Sequence, residues 1–208
     1  MPGNGARPLG RPRESDSAET RQRLLAVART AFAQRGYDAT TNKDLAAAAG
    51  ITPGAIYHYF PSKTDLYVAV YESVLCRVFD AFEAAISGKE TLVEQFSAVL
   101  DCTVELNRQD PTLTGFVVGI RGEVRRHPEL TGRLGLYGQI NEGFYGGLVS
   151  RAVERGEIPA DMARPVQDLL VAVLSGLSRF SRQTGDAARH AGAVDALKQF
   201  LAGTLIRR

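Results

Sequence analysis

The run Gly50-Ile51-Thr52-Pro53-Gly54-Ala55-Ile56-Tyr57-His58-Tyr59-Phe60 constrains the fold more than any other part of the chain. Gly50 can take the left-handed conformation that ends a helix and turns the chain sharply. Thr52 is a suitable N-cap, and Pro53 after it is already set for a first helical turn. The helix they open must stop before Pro61, which disfavours helical backbone at the residue preceding it. Upstream, Thr41 is placed to cap a helix with Asp44 three residues on, and residues 45–49 are strong helix formers. Two short helices joined by a three-residue, glycine-containing turn make a helix-turn-helix pattern. Ala46 is small enough for a close helix crossing, and Ile56 is placed to plug the angle between the two helices.

Helical periodicity continues in both directions. Leu24, Leu25, Ala28, Ala31 and Phe32 predict a first helix over about residues 19–35, stopped by Gly36. Ser62 caps a long helix reaching about residue 86, with Asp65 completing the capping pattern. Further helices are predicted near residues 91–109, 112–126, 129–155, 163–183 and 191–206, with breaks at Ser87-Gly88, Asp110-Pro111, His127-Pro128, 156–159 and Thr184-Gly185. No sustained period-two run marks a strand. The expectation is an all-α chain of about nine helices. It divides into a flexible basic arm over 1–17, a helix-turn-helix unit over 18–65, and a helical ligand-binding and dimerisation unit over 66–208.

Charge is uneven along the chain. Residues 1–63 carry nine Arg/Lys against five Asp/Glu, a balance of +4, and residues 64–208 carry sixteen against eighteen, a balance of −2. A basic head on a slightly acidic body suits a protein that offers one end to a polyanion. Apolar residues at 44% and charged residues at 23% are ordinary for a folded globular chain. No apolar run reaches the eighteen or so residues of a membrane span, and the N-terminus lacks the apolar segment of a secretory signal, so the chain reads as cytoplasmic. Cys76 and Cys102 have no zinc-type spacing and read as reduced, buried side chains. His58, His127 and His190 are scattered, so no metal cluster is visible in the sequence, and neither metal nor cofactor is expected. The sequence has no G-x-S-x-G, H-E-x-x-H, P-loop or Rossmann glycine signature, which argues against an enzyme.

A longer pattern is assembled from residues 24–28, Phe32, Gly36-Tyr37, Thr40-Thr41, Leu45-Ala46, Ala49-Gly50-Ile51, residues 54–60, Pro61-Ser62-Lys63 and Leu66. With it, the segment from Thr20 to Tyr71 resembles the DNA-binding domain of the tetracycline-repressor (TetR) family. Where that family carries Tyr-x-His-Phe or Tyr-x-Tyr-Phe, this chain has the second form, with His58 at the variable position. The resemblance implies a ligand-responsive transcriptional regulator, most often a repressor released from its double-stranded DNA operator by a small molecule. A helix opening at Thr52 would offer its N-terminal end to the major groove. Thr52, Pro53, Gly54 and His58 are the candidates for base edges, Gly54 because a missing side chain lets the backbone approach. By resemblance, Tyr57 and Tyr59 would donate hydroxyls to phosphates and Lys63 would make an ionic phosphate contact. Thr41 and Asn42 would hold phosphate at the start of the preceding helix. Taken singly, Tyr57 is equally readable as core, Lys63 as a solvated charge and His58 as an idle surface residue.

Arg7, Arg11 and Arg13, interleaved with Pro8, Gly10 and Pro12, read either as a minor-groove arm or as a solubilising tail. In the last two predicted helices apolar residues occupy two faces. On the first, Val166, Leu169, Leu170, Val173, Leu174, Leu177 and Phe180 form one stripe and Ala172, Ser175, Gly176 and Arg179 a second face; on the last, Val194, Leu197, Leu201 and Leu205 oppose Ala193, Ala196, Phe200 and Thr204. Two such faces imply burial on both sides, and the resemblance implies a homodimer through these helices. Between Gly115 and Gly147 lie nine glycines in otherwise helical sequence, accompanied by Phe116, Val117, Ile120, Tyr137, Phe144 and Tyr145. With Phe79, Phe82, Phe96 and Leu100, these residues suggest a deformable apolar cavity for the small-molecule effector. The alternative is that the glycines serve close helix packing and the aromatics are core.

Overall fold

The computed structural model describes residues 13–134 and 136–205. Among them the chain is all helical, with ten α-helices and a single 3-10 turn. The N-terminal head holds α1 (Arg13–Arg35), α2 (Asn42–Ala49) and α3 (Pro53–Tyr59). The long α4 (Lys63–Ile86) leads into α5 (Leu92–Gln109), α6 (Pro111–Arg126), the short α7 (Pro128–Thr131), α8 (Leu136–Glu154), α9 (Ala163–Thr184) and α10 (Ala187–Leu201).

Three of the expected helices differ in their bounds. The first helix opens at Arg13, six residues early, because apolar spacing marks only the buried part of a helix and nothing in residues 13–18 breaks it. Residues 13–17, assigned to the arm, therefore belong to α1; the remainder of the arm, with Arg7 and Arg11, lies outside the described residues. The single helix expected over 129–155 is two, α7 and α8, interrupted after Thr131. A helix interior carrying glycine gives up about 1 kcal/mol against alanine at each one. The last helix begins at Ala187, because Asp186 caps it by accepting from the N–H groups of Ala188 and Arg189 at 2.9 and 3.1 Å. It ends at Leu201, where Gly203 at φ +69° turns the chain.

The helices enclose two apolar cores. The first joins the head to α4, α6 and α7, and its centre is aromatic: Tyr67 meets Phe32, Tyr37 and Phe116 at ring separations of 4.9, 5.2 and 5.1 Å. The second lies between the far half of α4 and α5, α8, α9 and α10. Helix α4 runs through both, with Leu66 to Leu75 in the first and Phe82 and Ile86 in the second. Asp110, between α5 and α6, binds Arg29 of α1 at 2.5 Å and Arg77 of α4 at 3.3 Å. The Arg29–Asp110 pair is largely buried, so it resists screening better than a surface pair. Cys102 is half-buried, but Cys76 is exposed, contrary to the expectation of two buried thiols.

Candidate nucleic-acid interface and ligand cavity

Each turn of the head is closed by its own side chains. Thr41, Thr52 and Ser62 hold extended backbone conformations and accept from the N–H groups of Asp44, Ala55 and Asp65 at 3.1, 3.3 and 3.1 Å. Each cap satisfies a donor that a helix start leaves unpaired. Gly50 sits at φ +69°, and Ile51 N–H reaches back to the Ala46 carbonyl at 3.0 Å, a Schellman-type stop. Ile56 is fully buried beneath the crossing of α2 and α3.

With that scaffold set, the outer surface of α3 is polar and accessible. Thr52, Pro53, Gly54, Tyr57 and His58 are exposed, and a Cβ placed on Gly54 would meet nothing within 4 Å. Tyr57 is 56% exposed, which is inconsistent with a core role. Its hydroxyl accepts from Asn42 Nδ2 at 3.1 Å, so the start of α2 and the outer face of α3 form one surface. Thr41 is exposed at the edge of this surface. Lys43, exposed next to Asn42, is a cation the sequence reading passed over; only its adjacency to the cap could have drawn notice.

Two expected contacts sit differently. Tyr59 is half-buried and packs against the first core. Lys63 turns inward: its Nζ donates to the Tyr37 and Thr40 carbonyls at 3.0 and 3.2 Å and lies 4.2 Å from the Tyr37 ring centroid. It therefore braces the α1–α2 loop, and a phosphate contact would require it to leave these partners.

The apolar cavity lies farther along α4 and is about 110 Å³ in volume. Its walls include Leu75, Val78, Phe79 and Phe82 of α4, Val117 and Val118 of α6, and Tyr145 of α8. Helix α9 adds Val171, Leu174, Ser175, Ser178 and Arg179, and α5 adds Thr103, so a few hydroxyls and one cation punctuate an apolar lining. Of the residues expected to form the ligand cavity, Phe79, Phe82, Val117 and Tyr145 line it. Phe144 backs the wall, packed on the Phe79 and Phe82 rings at 5.4 and 5.7 Å. Phe96 and Leu100 are buried in the second core, and Phe116 and Ile120 in the first. Periodicity showed these four to be apolar but not which neighbour their face meets. Glycine does not line the cavity either. Gly115 instead faces Ala33 of α1, where a Cβ would make an ordinary contact at 3.6 Å. Ser175 and Arg179, assigned to an outer face of α9, belong to the cavity wall.

The histidines, scattered in sequence, are not all isolated in space. His127 Nε2 lies 3.1 Å from Asp38 Oδ1 and 3.8 Å from Glu123 Oε2, between the head and the end of α6.

The family model for "Bacterial regulatory proteins, tetR family" matches residues 24–70, the span from α1 into α4 just described. The structure of Salmonella enterica GusR is 30% identical with a TM-score of 0.69, covering 90% of this chain and 95% of that one. The chain belongs to the TetR family of bacterial regulatory proteins. This TetR-family chain is also similar to the HTH-type transcriptional regulator UidR of Escherichia coli K12, 26% identical over 92% of this chain and 96% of UidR. FadR from Bacillus subtilis, solved in complex with stearoyl-CoA, shares the fold at 18% identity and a TM-score of 0.72, covering 89% of this chain and 99% of that one. The TetR-family chain is a DNA-binding transcriptional regulator. No helix among its described residues is long and apolar enough to cross a membrane.

Proposed function

We propose that this regulator is a cytoplasmic homodimeric repressor whose α3 reads an operator half-site and which leaves DNA when a mostly apolar molecule fills the α4–α9 cavity. One observation carries the reading: Phe79 and Phe82 of the cavity wall and the cap of the reading unit at Ser62 share the single helix α4. Seventeen residues of helix separate Ser62 from Phe79, about 25 Å at the usual rise. A ligand that displaces the far half of α4 therefore has a stiff connection to the head. A second connection comes from Arg133, after α7, which binds Asp65 at 2.5 Å beside the Ser62 cap. The cavity of about 110 Å³ is small beside the roughly 300–1,000 Å³ of ordinary ligand sites, so its walls must move to admit a molecule of that size. A ligand preferring the expanded cavity would thereby disfavour the DNA-competent arrangement. That FadR carries an acyl-CoA supports an apolar ligand for this architecture.

The dimer reading rests on what α9 and α10 leave uncovered. Leu169 and Phe200 are 58% and 57% exposed, and Ala172 and Gly176 continue the exposed face of α9 with small residues suited to close helix approach. In this reading Thr41, Asn42, Lys43, Thr52, Pro53, Gly54, Tyr57 and His58 meet DNA, and Tyr59 holds α3 against the head.

The test is selection of bound duplexes from a random pool, with half-site spacing read from the enriched sequences. A two-fold motif with half-sites about 34–36 Å apart is expected. No enrichment by a folded dimer, verified by light scattering, would sink the operator reading.

A further inference from the structure

We propose that His127, Asp38 and Glu123 form a site for a first-row divalent cation such as Zn²⁺, which would clamp the α1–α2 loop of the head onto the end of α6. The three residues come from separate places. Asp38 lies in the α1–α2 loop, Glu123 in the last turn of α6, and His127 at the α6–α7 junction. Their candidate ligand atoms all lie within 4.8 Å of one another.

The hydrogen-bond arithmetic points to an ion. His127 Nδ1 faces Glu129 Oε1 at 3.4 Å, and Nε2 faces oxygens of both Asp38 and Glu123. A neutral imidazole carries one N–H. If that proton serves Glu129, the Nε2 lone pair confronts two carboxylates, which is repulsive unless a positive centre lies between them. Placing a proton on Nε2 satisfies Asp38 at 3.1 Å but leaves Glu123 behind. Glu123 is 6% exposed, and its Oε2 has no hydrogen-bond partner. A buried carboxylate oxygen left without a partner is costly. One cation between the three donors removes both problems.

The surroundings fit the same role. A metal-ligating histidine usually gives its other N–H to a carboxylate, the position Glu129 occupies. The remaining oxygen of Glu123 is held by Tyr37 N–H at 3.3 Å and Arg126 at 2.8 Å, which leaves Oε2 aimed at His127. Gly36, at φ +81°, lets the loop pass here, since a Cβ would come within 3.1 Å of Glu123 Oε1. One imidazole nitrogen with two carboxylate oxygens suits zinc and its redox-active neighbours more than magnesium or calcium. Tetrahedral bonds of about 2.0–2.2 Å separate donors by roughly 3.3–3.6 Å. The two histidine–carboxylate separations, 3.1 and 3.8 Å, bracket that spacing, and the two carboxylates lie within 4.8 Å of each other. Because Asp38 lies three residues before the α2 cap, the ion would tie head orientation, and with it DNA affinity, to metal supply.

The experiment is calorimetric titration of ZnCl₂ into full-length protein stripped with EDTA, repeated on Asp38→Asn and His127→Gln. One ion per chain is expected, with Asp38→Asn weakening uptake by about tenfold or more and His127→Gln abolishing it at micromolar zinc. At a zinc concentration near the wild-type dissociation constant, zinc should raise the Tm of the wild type clearly more than that of Asp38→Asn. Asp38 has a 69% exposed side chain, so its variant keeps the test decisive even if His127→Gln fails to fold. No uptake by the wild type below about 1 mM, or uptake unchanged by Asp38→Asn, overturns the proposal.

Discussion

The reading head and the ligand cavity are built on opposite principles. In the head, Thr41, Gly50, Thr52 and Ser62 set the ends of three successive helices within 22 residues, each by a bond to a residue three to five positions away. The cavity draws its wall from five helices, between Leu75 and Arg179, and its volume depends on how distant faces meet. The comparison teaches why one fold can keep its DNA-reading geometry while its ligand site varies. The head's shape is locally determined, and the cavity's is a residue of packing.

Phe116→Ala offers the largest effect and the sharpest test of the boundary between the two regions. Phe116 is 2% exposed and packed on Tyr67, so truncation should cost about 3–5 kcal/mol in urea unfolding. A loss below about 1 kcal/mol would return Phe116 to the role of a ligand-facing residue. Next, Val171→Trp should fill the cavity. Overpacking there should cost about 1–3 kcal/mol, abolish binding of an apolar fluorescent probe and weaken operator binding in the absence of any ligand. If probe binding survives, the cavity is not the ligand site. Thr52→Ala removes one cap from the head and should lower stability by about 1 kcal/mol while weakening operator binding several-fold. An unchanged operator affinity would show that operator binding depends neither on this cap nor on a Thr52 contact to DNA.

The smallest effect is one of pH. His190 is 2% exposed in α10, neither ring nitrogen has a hydrogen-bond partner, and burial lowers its pKa below the usual 6.5. As pH falls through about 6.5, the unfolded chain takes up a proton that the folded chain does not. Stability contributed by neutral His190 is therefore present above that pH and declines below it. Urea titrations across this range should show a decline that His190→Leu flattens. An identical slope in the variant would place the titration elsewhere.

The all-helical class and the helix-turn-helix follow from residues close in sequence. Gly50 and the threonine caps could be read without knowing what packs above them. The same local rules do not single out Asp186, because a lone capping carboxylate at the start of α10 has no apolar periodicity beside it to mark it.

Lys63 shows where local reading ends. Its sequence position marks a cation near the DNA-facing unit, but only the folded loop brings the Tyr37 and Thr40 carbonyls within reach of its ammonium group. Phe116 and Phe79 are both apolar residues on helices, yet one is core and the other lines a cavity. His127 meets Asp38 across 89 positions of sequence. The sequence by itself determined the helix ends between Thr41 and Ser62, because there the groups that satisfy an unpaired backbone N–H or carbonyl lie within a turn or so of it. Only the tertiary structure decided which side chains share a cavity or an ion site, because that depends on the facing of helices whose contacts no short window contains.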